Sequence, residues 1–196
     1  RQLVLKVLHQ LADSSTGKIL DRFLREYELV ARLDHPNVVR IHDFGVADDH
    51  AYIAMEYFPG GDLRSRMREA MPWAEALAYL RQLAAALGAL HAIGVLHRDV
   101  KPGNVLLRDD ASVAFIDFGL ARQLGLESDI TGTGAIFGTP HYMRPEQGHG
   151  LPLDERSDLY SLGVVLHEML TGRKPFVADS PLAVIYMHAN APIPRL

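Results

Sequence analysis

The stretch HRDVKPGN, residues 97–104, followed by DFG at 117–119, decides how the rest of the chain is read. Asp99, Asn104 and Asp117 offer oxygen atoms on loops at the ends of short strand-like runs. Hard cations such as Mg²⁺ take such oxygens, few of them from protein, and leave the remaining positions to phosphate and water. Asp99 and Lys101 lie two apart on one loop, so an acid and a base project into one small space. A carboxylate that orients a hydroxyl, a cation that meets a phosphate and two metal-holding groups are the parts of phosphoryl transfer. Alone, DFG suits an ordinary turn and HRD a surface loop. Their order and separation give the pattern its specificity.

Around this stretch the chain divides in two. Residues 3–8 read as a short buried strand carrying one lysine, Lys6. Residues 21–33 place Phe23, Tyr27, Val30 and Leu33 at helical spacing, until HPN (35–37) breaks the helix. Residues 38–46 and 51–57 predict a hairpin around ADDH. PGGD (59–62) is a loop ending in a helix N-cap, Asp62. Beyond it the character turns helical. Residues 73–93 set Leu77, Leu80, Leu83, Ala84, Leu87 and Leu90 on one side. Two short strands, 104–108 and 112–116, flank the turn DDAS, and a glycine-rich irregular segment spans 117–153. A helix over 155–171 is apolar on nearly every face, which predicts burial on all sides. Gly172 and Pro175 stop it. A strand-rich front, 1–57, and a helix-rich remainder, 58–196, predict an α+β fold of two lobes.

Composition narrows the function. The 196 residues are 48% hydrophobic and 22% charged, as in a globular domain with a substantial core. The formal net charge of −4 argues against an electrostatic nucleic-acid binder. The absence of cysteine excludes disulfides and thiolate metal sites and fits a reducing cytoplasm. The ten histidines form no metal pattern. The longest apolar run, LAAALGALHAIGVL (83–96), is interrupted by His91 and Gly94 and falls short of a membrane span. The opening RQLVLKVL starts in a strand-like run with no Met, as though cut from something longer.

With HRDVKPGN and DFG in place, the chain resembles the protein kinase family over essentially its whole length. By that resemblance Asp99 orients the substrate hydroxyl and accepts its proton, and Lys101 steadies the γ-phosphate. Asn104 and Asp117 hold Mg²⁺, with Mn²⁺ as an alternative. Lys6 in LVLKVL matches the strand lysine that meets the α- and β-phosphates of ATP, and Glu26 matches the helix glutamate that pairs with it, Glu28 being the competitor. MEYFPGGD (55–62) resembles the hinge: Met55 stands behind the adenine, the backbone of Glu56 and Phe58 bonds the base, and Asp62 reaches the ribose. Leu106 forms the floor under the base. Val4 replaces the family's usual alanine and narrows the adenine slot.

Lys101 and the GTPHY run resemble Ser/Thr rather than tyrosine kinases, and TGTGAIFGTPHYMRPEQ (131–147) resembles the bacterial members of the eukaryotic-type family. There, Thr131 and Thr133 match autophosphorylated threonines, whose phosphates Arg98 would bind. Thr139 would contact Asp99 and Lys101 as part of the substrate shelf. Asp158 would hold the backbone of the catalytic loop, and His97 would pack beneath DFG rather than act as a base. The implied partners are proteins bearing Ser or Thr, with a homodimer for trans-autophosphorylation; the location is cytoplasmic unless an anchor lies outside the chain.

Two parts of the family pattern fall outside the chain. One is the glycine-rich loop before the strand lysine. The other is the last helices, which supply an arginine to the glutamate of the Ala-Pro-Glu motif. That motif is RPE here (144–146), with Arg144 in place of alanine. The expectations are an exposed apolar edge at 3–8, an under-paired Glu146 partly compensated by Arg144, and low stability and activity of this stretch by itself. Losing one partner of a buried ion pair costs about 3–5 kcal/mol. The competing readings are a pseudokinase serving as a binding module and a small-molecule kinase of the aminoglycoside phosphotransferase kind. Lys6, Glu26, Asp99, Asn104 and Asp117 weigh against the first, and DFG followed by a GTPHYMRPE shelf weighs against the second.

Overall fold

The computed structural model describes residues 2–8, 27–47, 50–109, 111–118, 140–148 and 151–195. Alternating burial along His50–Glu56 makes this strand the centre of the first sheet, with Ala51, Ile53 and Met55 turned inward. We number the strands β1 (Leu3–Leu8), β2 (Ile41–Ala47) and β3 (His50–Glu56). They pair antiparallel in the order β1-β3-β2, and the β2 register slips between Ile41 and Asp43. β1 is an edge strand whose Leu3, Val4, Leu5 and Val7 are exposed. It is the apolar edge expected, and not the buried strand its composition suggested.

β2 begins at Ile41, later than the pattern implied, because the preceding residues are committed elsewhere. Val39 N donates to the Phe115 carbonyl and Phe115 N to the Asn37 carbonyl, both at 2.9 Å. Asn37 Nδ2 donates to Gln82 Oε1 (2.8 Å) and the Val113 carbonyl (2.6 Å). The HPN segment is thereby sewn to the helical part. Of the expected 21–33 helix, residues 27–31 are described as helical, with Tyr27 and Val30 buried.

A single turn, α1 (Leu63–Arg66), is capped by Asp62, whose carboxylate accepts from Ser65 N at 2.8 Å. The long helix α2 (Trp73–Ala92) buries Ala76, Tyr79, Leu83, Ala86, Leu87 and Leu90. That stripe excludes Leu77 and Ala84, which face solvent, contrary to the one-sided grouping expected from the leucines. At about 100° per residue, the 76-79-83-86/87-90 series is the one that stays on one face. The hairpin β4 (Val105–Leu107) and β5 (Val113–Phe115) packs against α2.

After the short turns Pro140–Tyr142 and α3 (Pro145–Gly148) comes α4 (Glu155–Thr171). Asp154 caps α4 in a reciprocal capping box with Ser157, and Gly172 ends it in the left-handed region at φ 68°. α4 is not buried on all sides. Leu162, Val165 and Met169 are buried, whereas Leu159 is 53% exposed on the same flank as exposed Gly163. α5 (Pro181–Asn190) packs against the 140–148 segment through Val184 and His188. Among the described residues, no helix is long and apolar enough to cross a membrane.

Candidate active site

The 97–104 loop is set by its burial. His97 is fully buried between Phe115 and Phe118, with ring centroids 4.5 and 5.4 Å away. Its Nδ1 accepts from Asp99 N (3.3 Å), which leaves the proton on Nε2, a buried atom with no partner. Burial holds the imidazole below its ordinary pKa, so it stays neutral. His97 therefore packs under Phe118, as expected, and presents no ring nitrogen as a base.

The backbone of this loop hangs on Asp158, at the start of α4. Asp158 Oδ2 accepts from His97 N (2.8 Å) and His91 Nε2 (2.9 Å), and Oδ1 accepts from Arg98 N (2.9 Å). Burial pushes this carboxyl up, but the hydrogen bonds from His97 N and His91 and the charge of the Arg144 guanidinium outweigh it and hold the group below the usual carboxylate range. Arg98 sits at φ 65°, in the left-handed region, which costs a non-glycine residue about 1–3 kcal/mol. The bond from its N–H to Asp158 offsets part of that cost.

Asp99 is held from two directions. Lys101 Nζ lies 2.6 Å from Asp99 Oδ2. Asn104 Nδ2 donates to the same Oδ2 (2.7 Å) and to the Asp99 carbonyl (2.9 Å). Both N–H groups of Asn104 are thereby committed, leaving its Oδ1 as an oxygen donor. Ile116 N donates to the Asn104 carbonyl (2.9 Å), which places Asn104 beside the end of β5 and Asp117. Asn104 and Asp117 are hard oxygen donors, and a pair of them with positions left for phosphate and water fits Mg²⁺.

Asp117 is the second non-glycine residue in the left-handed region, at φ 54°. Its Oδ1 forms an ion pair with Lys6 Nζ. Phe118 is buried and meets Tyr27 edge-on at 6.4 Å, so the helix at 27–31 touches the DFG segment directly.

At the lobe junction Met55 is buried beside its strand partners Val4 and Ile41, and Phe58 is buried as well. Leu106 is half-buried on β4. Asp62 is engaged as the α1 cap, bonding both Ser65 N and Ser65 Oγ. The sequence reading missed Arg108. Its Nε and Nη2 hold Glu56 Oε1 and Oε2 at 2.8 and 2.9 Å, Nη1 donates to the Pro36 carbonyl, and the guanidinium lies 5.1 Å above the Phe58 ring. No motif marks an arginine after a short strand, and the signal exists only in three dimensions.

Glu26, Thr131, Thr133 and Thr139 lie outside the described residues. Glu146 accepts from Ser157 Oγ, and Arg144 turns to Asp158 (3.1 Å) and Ser161 (3.2 Å) instead of bonding Glu146. The expected compensation of Glu146 therefore comes from a serine hydroxyl.

Comparison with known proteins agrees with this geometry. A family model described as "Protein kinase domain" matches residues 1–192. The serine/threonine-protein kinase PknB of Mycobacterium leprae is 42% identical over 88% of this chain and 29% of its own length. PknL of Mycobacterium tuberculosis is 41% identical over 100% of this chain and 49% of its own length. The kinase pkn2 of Myxococcus xanthus is 41% identical over 99% of this chain and 24% of its own length. The chain thus spans a quarter to a half of these relatives. Asp99 braced by Lys101 and Asn104, Lys6 joined to Asp117, and a family match over 1–192 lead to one conclusion: the chain belongs to the protein kinase family, alongside bacterial Ser/Thr kinases.

Proposed function

We propose that this chain is the catalytic part of a cytoplasmic Ser/Thr protein kinase, moving the γ-phosphoryl group of ATP to protein Ser and Thr hydroxyls. Residues 1–57 form the part of the small lobe that meets the phosphates, and 58–196 the part that carries the catalytic loop and substrate shelf. The observation that carries the reading is the bracing of Asp99 Oδ2 by both Lys101 and Asn104. A carboxylate fixed this way can orient a hydroxyl and take its proton without first reorganising.

Lys101, beside Asp99, supplies positive charge where the transferred group gathers negative charge. Lys6 meets the α- and β-phosphates, with Glu26 as its partner once it leaves Asp117. Mg²⁺, held by Asn104 and Asp117, supplies neutralisation of the phosphate oxygens when bound. The base lies between Met55 and Leu106, against the backbone of Glu56 and Phe58, with Val4 narrowing the slot. Asp62 reaches the ribose only by sharing its capping carboxylate. Thr131 and Thr133 are autophosphorylation sites read by Arg98, met in trans by a second copy, and Thr139 joins the shelf to Asp99 and Lys101.

The test is Mg²⁺- and ATP-dependent phosphorylation of a generic protein substrate by the protein as encoded. Asp99→Asn should keep the fold and lose about 10²–10⁴ in rate. Nucleotide binding without transfer, or an unaffected Asp99→Asn variant, would overturn the reading.

A further inference from the structure

Residues 142, 144 and 146 all engage the buried polar face of α4. Ser161 Oγ donates to the Tyr142 carbonyl (2.9 Å), and Ser157 Oγ donates to Glu146. Between them Arg144 reaches deepest. It is 1% exposed, and it stands where the family pattern has alanine. Its Nε donates to Ser161 Oγ (3.2 Å) and its Nη2 to Asp158 Oδ1 (3.1 Å), while Nη1 is buried without a partner.

Asp158 Oδ1 is also the atom that accepts from Arg98 N. One carboxylate oxygen therefore receives both the strained turn before Asp99 and the guanidinium of the shelf. Packing alone does not require a charge here, because an apolar side chain of similar volume fills such a space at less desolvation cost. What the guanidinium adds is a direct link from the 140–148 segment to the group that sets the catalytic loop.

We propose that Arg144 is a positioning residue for phosphoryl transfer. It locks the substrate shelf to the Asp158 carboxylate, so that the shelf and Asp99 hold a fixed relation to one another. An alanine at this position has no such link. The proposal rests on the kinase reading above for its catalytic consequence and on geometry for the link itself.

The decisive variant is Arg144→Met in the protein as encoded, which keeps volume and removes the charge. Two readouts are taken per folded molecule, well below the melting temperature. Steady-state kinetics should show kcat lowered about tenfold or more with the ATP KM nearly unchanged, because Arg144 does not touch the nucleotide residues. Amide hydrogen exchange should be faster at Arg98 and Asp99. Arg144→Lys, which keeps the charge but loses the forked reach to Ser161, should fall between, and it carries both readouts if Arg144→Met does not fold. Unchanged exchange overturns the proposal, and so does faster exchange with unchanged kcat. A wild-type protein that transfers no phosphate sinks the kinase reading instead, and exchange still decides whether the link exists.

Discussion

Lys6 Nζ on the edge strand β1 and Asp117 Oδ1 beyond β5 form an ion pair across the two parts of the chain. Each side chain is 34% exposed, so solvent screens the pair, and a pair of this kind is worth about 1 kcal/mol at most. On the proposed function, nucleotide phosphates and a cation would open this pair. Lys6→Met and Asp117→Asn should each change nucleotide-free stability by less than about 1 kcal/mol in denaturant melts. Each should lower phosphoryl transfer about 10²-fold or more, because both groups act where charge gathers. A Lys6→Met protein with an ordinary rate would remove Lys6 from the phosphate site.

Arg108 fastens Glu56, at the end of β3, by its side chain. The forked bond to Glu56, the Pro36 carbonyl and the Phe58 face fix one guanidinium in place. On the proposed reading, in which an adenine lies against Glu56 and Phe58, this fixing before the base arrives would save ordering cost on binding. Arg108→Met should raise the ATP KM about three- to tenfold while kcat stays near the wild-type value. Arg108→Lys should not rescue it, because a single ammonium cannot span both Glu56 oxygens. Isothermal titration with ATP checks this, and an unaltered affinity would dismiss the clamp.

Local chemistry made part of the fold legible in the sequence. α4 spans Glu155–Thr171 as its apolar run and Gly172 imply, and β4 and β5 bracket their turn within a residue of the expected bounds. Those boundaries are local, set by capping and turn chemistry. Where readings failed, distant partners decided the outcome. Val38 and Val39 join β5 while Arg40 meets β3 at Glu56, the stripe on α2 follows what it packs against rather than where leucines fall, and Arg144 pairs with Asp158 rather than its near neighbour Glu146. Motif spacing singled out Asp99, Lys101 and Asn104, and these three meet because they lie within one loop. Arg108 bonds a residue 52 positions away, and no local pattern announces that.

His97 makes the fold sensitive to acid. Its folded pKa lies below 6.5, chiefly through burial, so between that value and 6.5 the unfolded chain binds more protons than the folded one. Its contribution is full above pH 6.5 and is lost as pH falls toward the folded value. The limiting slope is about 1.4 kcal/mol per pH unit for one proton. Asp158, also depressed, adds loss only at lower pH, below the ordinary carboxylate value. Denaturant melts from pH 7.5 to 5 should show stability falling below 6.5, and His97→Phe should make that limb shallower, leaving the share of His141 and His188, which burial also holds below the ordinary imidazole value. A wild-type protein as stable at pH 5 as at pH 7.5 would contradict the buried neutral ring.

Gly60 and Gly61 are adjacent, and their substitution should have different consequences. A Cβ on Gly60 would lie 2.6 Å from the Leu107 carbonyl oxygen and 2.8 Å from Leu107 Cβ. The chain cannot back away, because Gly60 N donates to that carbonyl (3.0 Å) and Leu107 N donates to the Gly61 carbonyl (2.9 Å). Gly61 has open space around it, but sits at φ 74°. Gly61→Ala should therefore cost about 1–2 kcal/mol through backbone strain alone, with nucleotide affinity unchanged. Gly60→Ala should cost about 1–3 kcal/mol through overpacking and also push β4, moving Leu106 relative to the hinge. Thermal melts together with the ATP KM separate the two: Gly60→Ala should move both and Gly61→Ala only the melt. If Gly60→Ala lowered stability without touching the ATP KM, Leu106 would not be the floor of the nucleotide slot.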